Sequence, residues 1–368
     1  MNSLLTRWFD RFAGRGDYAV TIPVMDGPLR PNSDLDEATA VVEIDAPDNL
    51  VRTASGLFFS SHSRLMASRD ATCEVVEEFP STITALASGP HGELAIGLEN
   101  GQLHLRGTAG DLIVTTLGVH RLLSPVGLLY LPSGELIVVD GSRDNAPSAW
   151  QRDLMEMRRS GSVHRYHPGS GESVTLASGL ASPAGVCVHP TEPDSLVVAE
   201  TGRYRLLKIA IDGSGAMATV ADDLPGYPFR LVAASDGGVW LSVIAPRNQL
   251  IEFVLREPAY RRRMLAEIAD PNLWIAPVLS SGKSFLEPLQ GGGVKQLGIL
   301  KPWAPSRSYG LIVHFDRHLN PIASHHSRAS GSTHGVTSCV EWESVLYATS
   351  KGGGKVVSLR ADIGKERA

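Results

Sequence analysis

The chain has 368 residues, 43% of them hydrophobic and 20% charged, which supplies a sizeable core and excludes global disorder. The formal net charge is −5, from 34 Lys+Arg against 39 Asp+Glu. That balance excludes a dedicated nucleic-acid binder, because phosphate recognition needs a cationic face.

The N-terminal stretch MNSLLTRWFDRFAGRGD lacks the apolar core and small-residue cleavage site of a signal peptide. Leu4, Leu5, Trp8, Phe9 and Phe12 fall on one helical face, so residues 1–40 read as a helix and arm. The helix either packs on its own domain or lies on a membrane surface. From residue 41 to 368 a single domain is expected. One pattern recurs there: an apolar strand, a Gly- or Asp-containing turn, and a second apolar strand. Its copies start at APDNLVRT (46), STITALAS (81), SPVGLLYL (124), SPAGVCVH (182), YPFRLVAA (227) and HGVTSCVE (334). Most are followed by a third strand-like piece, such as GQLHLRG or YRLLKIAID. Six strand-rich repeats spaced by roughly 40–50 residues predict an all-β fold, a six-bladed β-propeller. Insertions interrupt the pattern at 141–160 and 245–308. The second carries helical signal around Pro258, which should break or start a helix, then a Gly- and Pro-punctuated loop. Long insertions in a compact fold are usually lids or binding loops.

No apolar run approaches the ~20 residues of a membrane span. Cys73, Cys187 and Cys339 stand far apart with no CxxC, Cys187 and Cys339 reading as small buried thiols. This usage fits a reducing, cytoplasmic compartment. No GxSxG elbow, HExxH, Walker loop or dinucleotide-binding glycine motif is present.

The run GLASPAGVCVHPTEPDSLVVAETGRYRLLKIAIDG, the turn LPGYP and the closing GVTSCVEWESVLYATS resemble the strictosidine synthase-like family, over roughly residues 40–360. That family lies among the six-bladed propellers that include gluconolactonases and paraoxonases. The resemblance implies a small-molecule enzyme with its site in the central tunnel. In lactonase-like members a calcium ion sits there, held by acidic and amide side chains. Here the first-blade position is Asp48, followed by Asn49. The fourth-blade motif reads Pro183-Ala184-Gly185-Val186, without the amide ligand. The fifth reads Gly226-Tyr227-Pro228-Phe229-Arg230, without the carboxylate and the amide. An arginine would repel calcium, so no cofactor is expected; a shifted calcium on Asp48, Asn49 and Asp140 is the alternative. The strictosidine synthases proper use a last-blade glutamate, and the matching position is Thr337. Amine–aldehyde condensation is therefore not expected.

The residues at the inner strand starts suggest a site for a small, anionic substrate. His334 reads as acid/base, Asp48 as orienter or base, and Arg230 as a carboxylate clamp. Arg230 reads equally as an ion-pair partner of Asp48 or Glu200 that substitutes for the lost ion, and Glu200 reads as the partner of Arg203 or Arg205. Tyr227, Phe229, Thr337, Ser338, His120 and Trp150 complete the substrate-binding set. Lactone or ester hydrolysis is the leading function. The alternatives are a metal-independent lyase or cyclase using His334 and Arg230, and a non-catalytic binding module. A pocket closed by the 245–308 insertion favours an enzyme; a flat rim favours a binding module.

Overall fold

The computed structural model describes residues 22–361 apart from 70–71, 108–109, 285, 289–294, 297–298 and 301–305. The expected N-terminal helix lies outside the described residues. Each predicted hairpin is the inner pair of one four-stranded antiparallel sheet, and six such sheets form the propeller. Their innermost strands are Pro47–Thr53, Ile83–Ser88, Pro125–Tyr130, Pro183–Val188, Gly226–Ala233 and Val336–Trp342. We number the blades one to six in that order.

Both faces of the inner strands are covered in every sheet, which is why those strands read as near-continuous apolar runs. Each gap between neighbouring blades holds its own buried cluster. Leu65, Phe79 and Ile96 fill the gap between blades one and two; Leu231, Leu241 and Leu206 fill that between four and five. Cys187 and Cys339 are buried in such gaps, and burial pushes both thiols up to about 12. The ring closes through the N-terminal arm. Strand Thr39–Glu43 is the outermost strand of blade six, antiparallel to Lys355–Arg360. The sequence-drawn boundary at residue 40 falls inside this strand.

The inner strands share one irregularity. Pairing with the second strand shifts register near the start of all six, at Asp48/Val51, Ile83/Ala85, Pro125/Gly127, Pro183/Val186, Pro228/Leu231 and Val336/Ser338. A bulge releases a residue's backbone groups from the ladder and bends the strand. In blade one the bulge contains Asn49, at φ 58, a left-handed conformation that asparagine tolerates better than most side chains.

Two glycines set how closely the inner strands approach. A Cβ on Gly185 would lie 2.2 Å from the Phe229 carbonyl oxygen and 2.5 Å from the Arg230 Cα; one on Gly127 would lie 2.1 Å from the Ala184 carbonyl oxygen. Blades three, four and five meet backbone to backbone there.

The insertions pack on each other above one mouth of the tunnel. Helix Trp150–Glu156 comes from the first; Gln249–Arg256 and Pro258–Glu267 come from the second, separated at Pro258 as expected. Met155, Ile251, Val254, Met264 and Trp274 form their shared core, and Gln151 Nε2 donates to the Pro277 carbonyl at 3.0 Å. Among the described residues no helix is long and apolar enough to cross a membrane.

Gly185→Ala must push blades four and five apart. Urea unfolding is expected to show a loss of about 2 kcal/mol, in the range of overpacked cores, with an unchanged m-value.

Candidate active site at the tunnel mouth

The bulges turn oxygens toward the tunnel axis, and Arg230 collects them. Its Nη1 donates to Asp48 Oδ1 at 2.8 Å and to the Thr337 carbonyl at 3.2 Å. Its Nη2 donates to Asn49 Oδ1, to the Thr84 carbonyl at 2.7 Å and to the Val126 carbonyl at 3.4 Å. These five oxygens come from blades one, two, three and six, and each belongs to a bulge. The Phe229 ring lies 4.6 Å from the guanidinium carbon.

Above this cluster opens a cavity of about 560 Å³. Its floor holds Asp48, Arg230, Thr337 and Lys351; Trp150, Leu154, Phe229, Ile244 and Leu279 form apolar wall. Lys351 Nζ stands 3.0 Å from Asp48 Oδ2, with its side chain 31% exposed. Burial alone would raise the Asp48 pKa, but the Arg230 and Lys351 charges hold it below the usual carboxylate value. The cavity lining thus carries two cations, Arg230 and Lys351, and three carboxylates, Asp48, Glu99 and Asp153.

The first insertion supplies a second acid. Asp153 is buried on helix Trp150–Glu156 and lines the same cavity. It accepts from Ser142 Oγ at 2.6 Å, from Asn145 Nδ2 at 3.0 Å and from Ser182 Oγ. Ser182 has φ 46, so the turn into blade four is a strained left-handed one.

Of the residues singled out from sequence, Asp48, Arg230, Thr337, Phe229 and Trp150 meet at this cavity. Asn49 lies beneath it, buried, its Nδ2 donating to Ser60 Oγ at 2.7 Å. Ser338 faces the opposite tunnel mouth, lining a cavity of about 330 Å³, and accepts from the Leu50 amide at 2.9 Å. Tyr227 lines a side cavity of about 550 Å³ and meets Tyr204 edge-on at 5.1 Å.

The structure places His334, His120 and Asp140 elsewhere. His334 is not among the residues lining the cavity. Its Nδ1 lies 2.8 Å from Ser308 Oγ and its Nε2 donates to the Arg328 carbonyl at 2.8 Å. Both nitrogens are engaged within the protein, and burial lowers its pKa. His120 lies 2.9 Å from Asp140 Oδ2, its ring 4.5 Å from that of His164. Asp140 is pushed up by burial despite His120, and its other oxygen accepts from the Ser124 amide at 2.6 Å. It does not join Asp48 and Asn49, so the expected ligand trio is not assembled. Glu200 pairs with Arg205 and accepts from the Ala181 amide at 2.8 Å, which leaves Asp48 as the ion-pair partner of Arg230.

Lys351 and Asp153 escaped sequence reasoning. Lys351 directly follows strand Val345–Ser350, and a lysine after an apolar strand reads as an exposed end. Asp153 sits in a long polar insertion, and that length was the available signal.

The oxygen donors suit a hard cation, but the residues present do not fit calcium. The Arg230 guanidinium is bonded to the same oxygens that would ligate it. At ~4 Å and an effective dielectric near 20, a single and a double positive charge repel by on the order of 8 kcal/mol. Among the described residues no group of three or more His, Cys, Asp or Glu is placed to hold a metal.

No protein-family model matches the chain. The Salmo salar adipocyte plasma membrane-associated protein is 30% identical over 125 residues, 31% of this chain and 30% of that protein. The Rattus norvegicus protein of that name is 24% identical over 275 residues, 65% of this chain and 71% of its own length. The Arabidopsis thaliana protein strictosidine synthase-like 13 is 26% identical over 178 residues, 48% of this chain and 40% of that protein. The chain is thus similar in sequence to proteins of both names. The first of these relatives is thus matched over less than a third of its length. Among solved structures, a Xanthomonas campestris gluconolactonase has a TM-score of 0.54 at 15% identity, covering 89% of this chain and 88% of its own. The Agrobacterium tumefaciens regucalcin, described as a calcium-binding protein, has a TM-score of 0.53 at 14% identity, covering 88% and 92%. These likenesses show the six-bladed propeller fold.

Asp48 has a depressed pKa in the folded state, so its contribution is full above its unfolded pKa of about 3.9 and lost as pH falls through the lower folded value. Stability should therefore drop below about pH 4. In Asp48→Asn this part of the acid dependence should be absent, as thermal unfolding between about pH 5 and 2 will show.

Proposed function

We propose that the chain is a small-molecule hydrolase of lactone or ester type that works without a metal. The observation that carries this reading is Lys351, whose partly exposed ammonium group is held by Asp48 at the cavity floor. Arg230 is a poor candidate for the carbonyl-polarising role, because its two terminal nitrogens already serve five protein oxygens. Lys351 has no such saturation and lines the cavity.

The chemistry assigned to the site is direct water attack. Asp153 accepts a proton as the water oxygen bonds to the substrate carbonyl carbon. The oxyanion that forms faces the Lys351 ammonium, a fixed charge aimed where negative charge develops. When the ring or ester C–O bond breaks, Asp153 returns the proton to the leaving oxygen. The apolar wall around Trp150, Phe229 and Leu279 suits a substrate with a hydrophobic or aromatic portion, and the Lys351 ammonium offers a partner for an anionic group on it. A deep cavity rather than a flat rim supports an enzyme over a binding module.

The test is a panel of lactones and aryl esters, assayed with and without chelator. Turnover should be unaffected by the chelator. Lys351→Met should lower kcat by about 100-fold, as for loss of one oxyanion donor, with a smaller change in KM. No turnover of any panel member, chelator-sensitive turnover, or an unchanged kcat in Lys351→Met would each contradict the proposal.

A further inference from the structure

We infer that Arg230 is a tethered cation and that the oxygen ring around it is a latent calcium site, kept closed by the guanidinium. Two side-chain oxygens, from Asp48 and Asn49, and three backbone carbonyls, from Thr84, Val126 and Thr337, converge on one group. All five are hard oxygen donors, and one carries a negative charge; that is the donor chemistry calcium takes, with room for water to complete six to eight ligands. The carbonyls project from bulges, so the sheet ladder does not consume them. Both side chains are buried. A set of oxygens built by four blades and left without a cation would be several unsatisfied acceptors at the centre of the fold.

Arg230 also forms the partition in the tunnel. It lines the cavity at one mouth and the smaller cavity at the other. Shortening the side chain opens a space between them, ringed by the same oxygens and reachable from solvent. Lys351, on the outer oxygen of Asp48, weakens an entering ion without occupying the ring. Affinity should therefore fall at the weak end of protein calcium sites, about 0.1–1 mM.

Arg230→Ala and Arg230→Asn test the inference, the second adding an amide oxygen. Thermal unfolding is followed in EDTA and in calcium or magnesium at about 5 mM, well above that range; calorimetric titration gives the stoichiometry. The wild type should bind no calcium and keep one Tm in both. Each variant should melt lower in EDTA, recover several degrees with calcium, and bind one ion per chain; magnesium, which demands tighter octahedral geometry, should restore much less. Methylguanidinium should partly restore Arg230→Ala. In Arg230→Asn, further substitution Asp48→Asn should abolish the calcium response. If the variants do not fold in EDTA, refolding yield replaces Tm, and calcium or methylguanidinium should raise it. Variants whose Tm, refolding yield and titration all ignore calcium would overturn the inference, as would stoichiometric calcium binding by the wild type. The readouts are stability and binding, so the result stands apart from any hydrolase activity.

Discussion

The centre of the propeller is organised by one guanidinium group. Six inner strands converge on a common axis, and each bulges near its start. Bulging frees carbonyls, and carbonyls crowded around an axis repel unless something positive lies between them. Arg230 supplies the charge and the donors at once. Its planar fork reaches two side-chain oxygens and three carbonyls from four other blades, a geometry that an ammonium group on a flexible stem does not reproduce. The close contact at Gly185 seats the Arg230 backbone against blade four, so the side chain starts from a fixed position. Asp48 then has two tasks: it balances Arg230 on one oxygen and holds Lys351 on the other.

Function is layered on this frame by the insertions. A bare six-bladed ring would present a shallow mouth. The 141–160 segment contributes Trp150, Asp153 and Leu154 to the cavity wall, and the 245–308 segment braces it through a shared apolar core. The cavity therefore has a cationic floor set by the propeller and an acidic, partly apolar side wall set by the insertion. Opposed charges of this kind, fixed on separate elements, are what the proposed water attack on a carbonyl would draw on.

The repeat was legible in the sequence because each blade needs the same thing: two apolar strands, both faces buried, with a turn between. All six hairpins stand where the strand–turn–strand pattern put them. The two helices around Pro258 were legible for a local reason, the missing donor of proline. What the pattern did not show was which polar side chains point to the axis. His334 follows a Ser- and Gly-rich run, as catalytic loop residues often do, yet both its ring nitrogens are bonded inside the protein. His120 precedes an inner strand but turns back onto Asp140, twenty residues on. Arg230 was readable as a partner of either Asp48 or Glu200, and only the fold shows that Arg205 takes Glu200. Lys351 and Asp153 are about 200 residues apart in the chain and share a cavity through ring closure alone, which no local signal encodes.

A crystal structure grown in millimolar calcium addresses the central claim most directly. Flat guanidinium density at the axis, with Arg230 nitrogens about 2.7–3.2 Å from the surrounding oxygens, is the predicted result. Arg230 swung aside, with a spherical ion about 2.3–2.6 Å from Asp48, Asn49 and the bulge carbonyls, would contradict it.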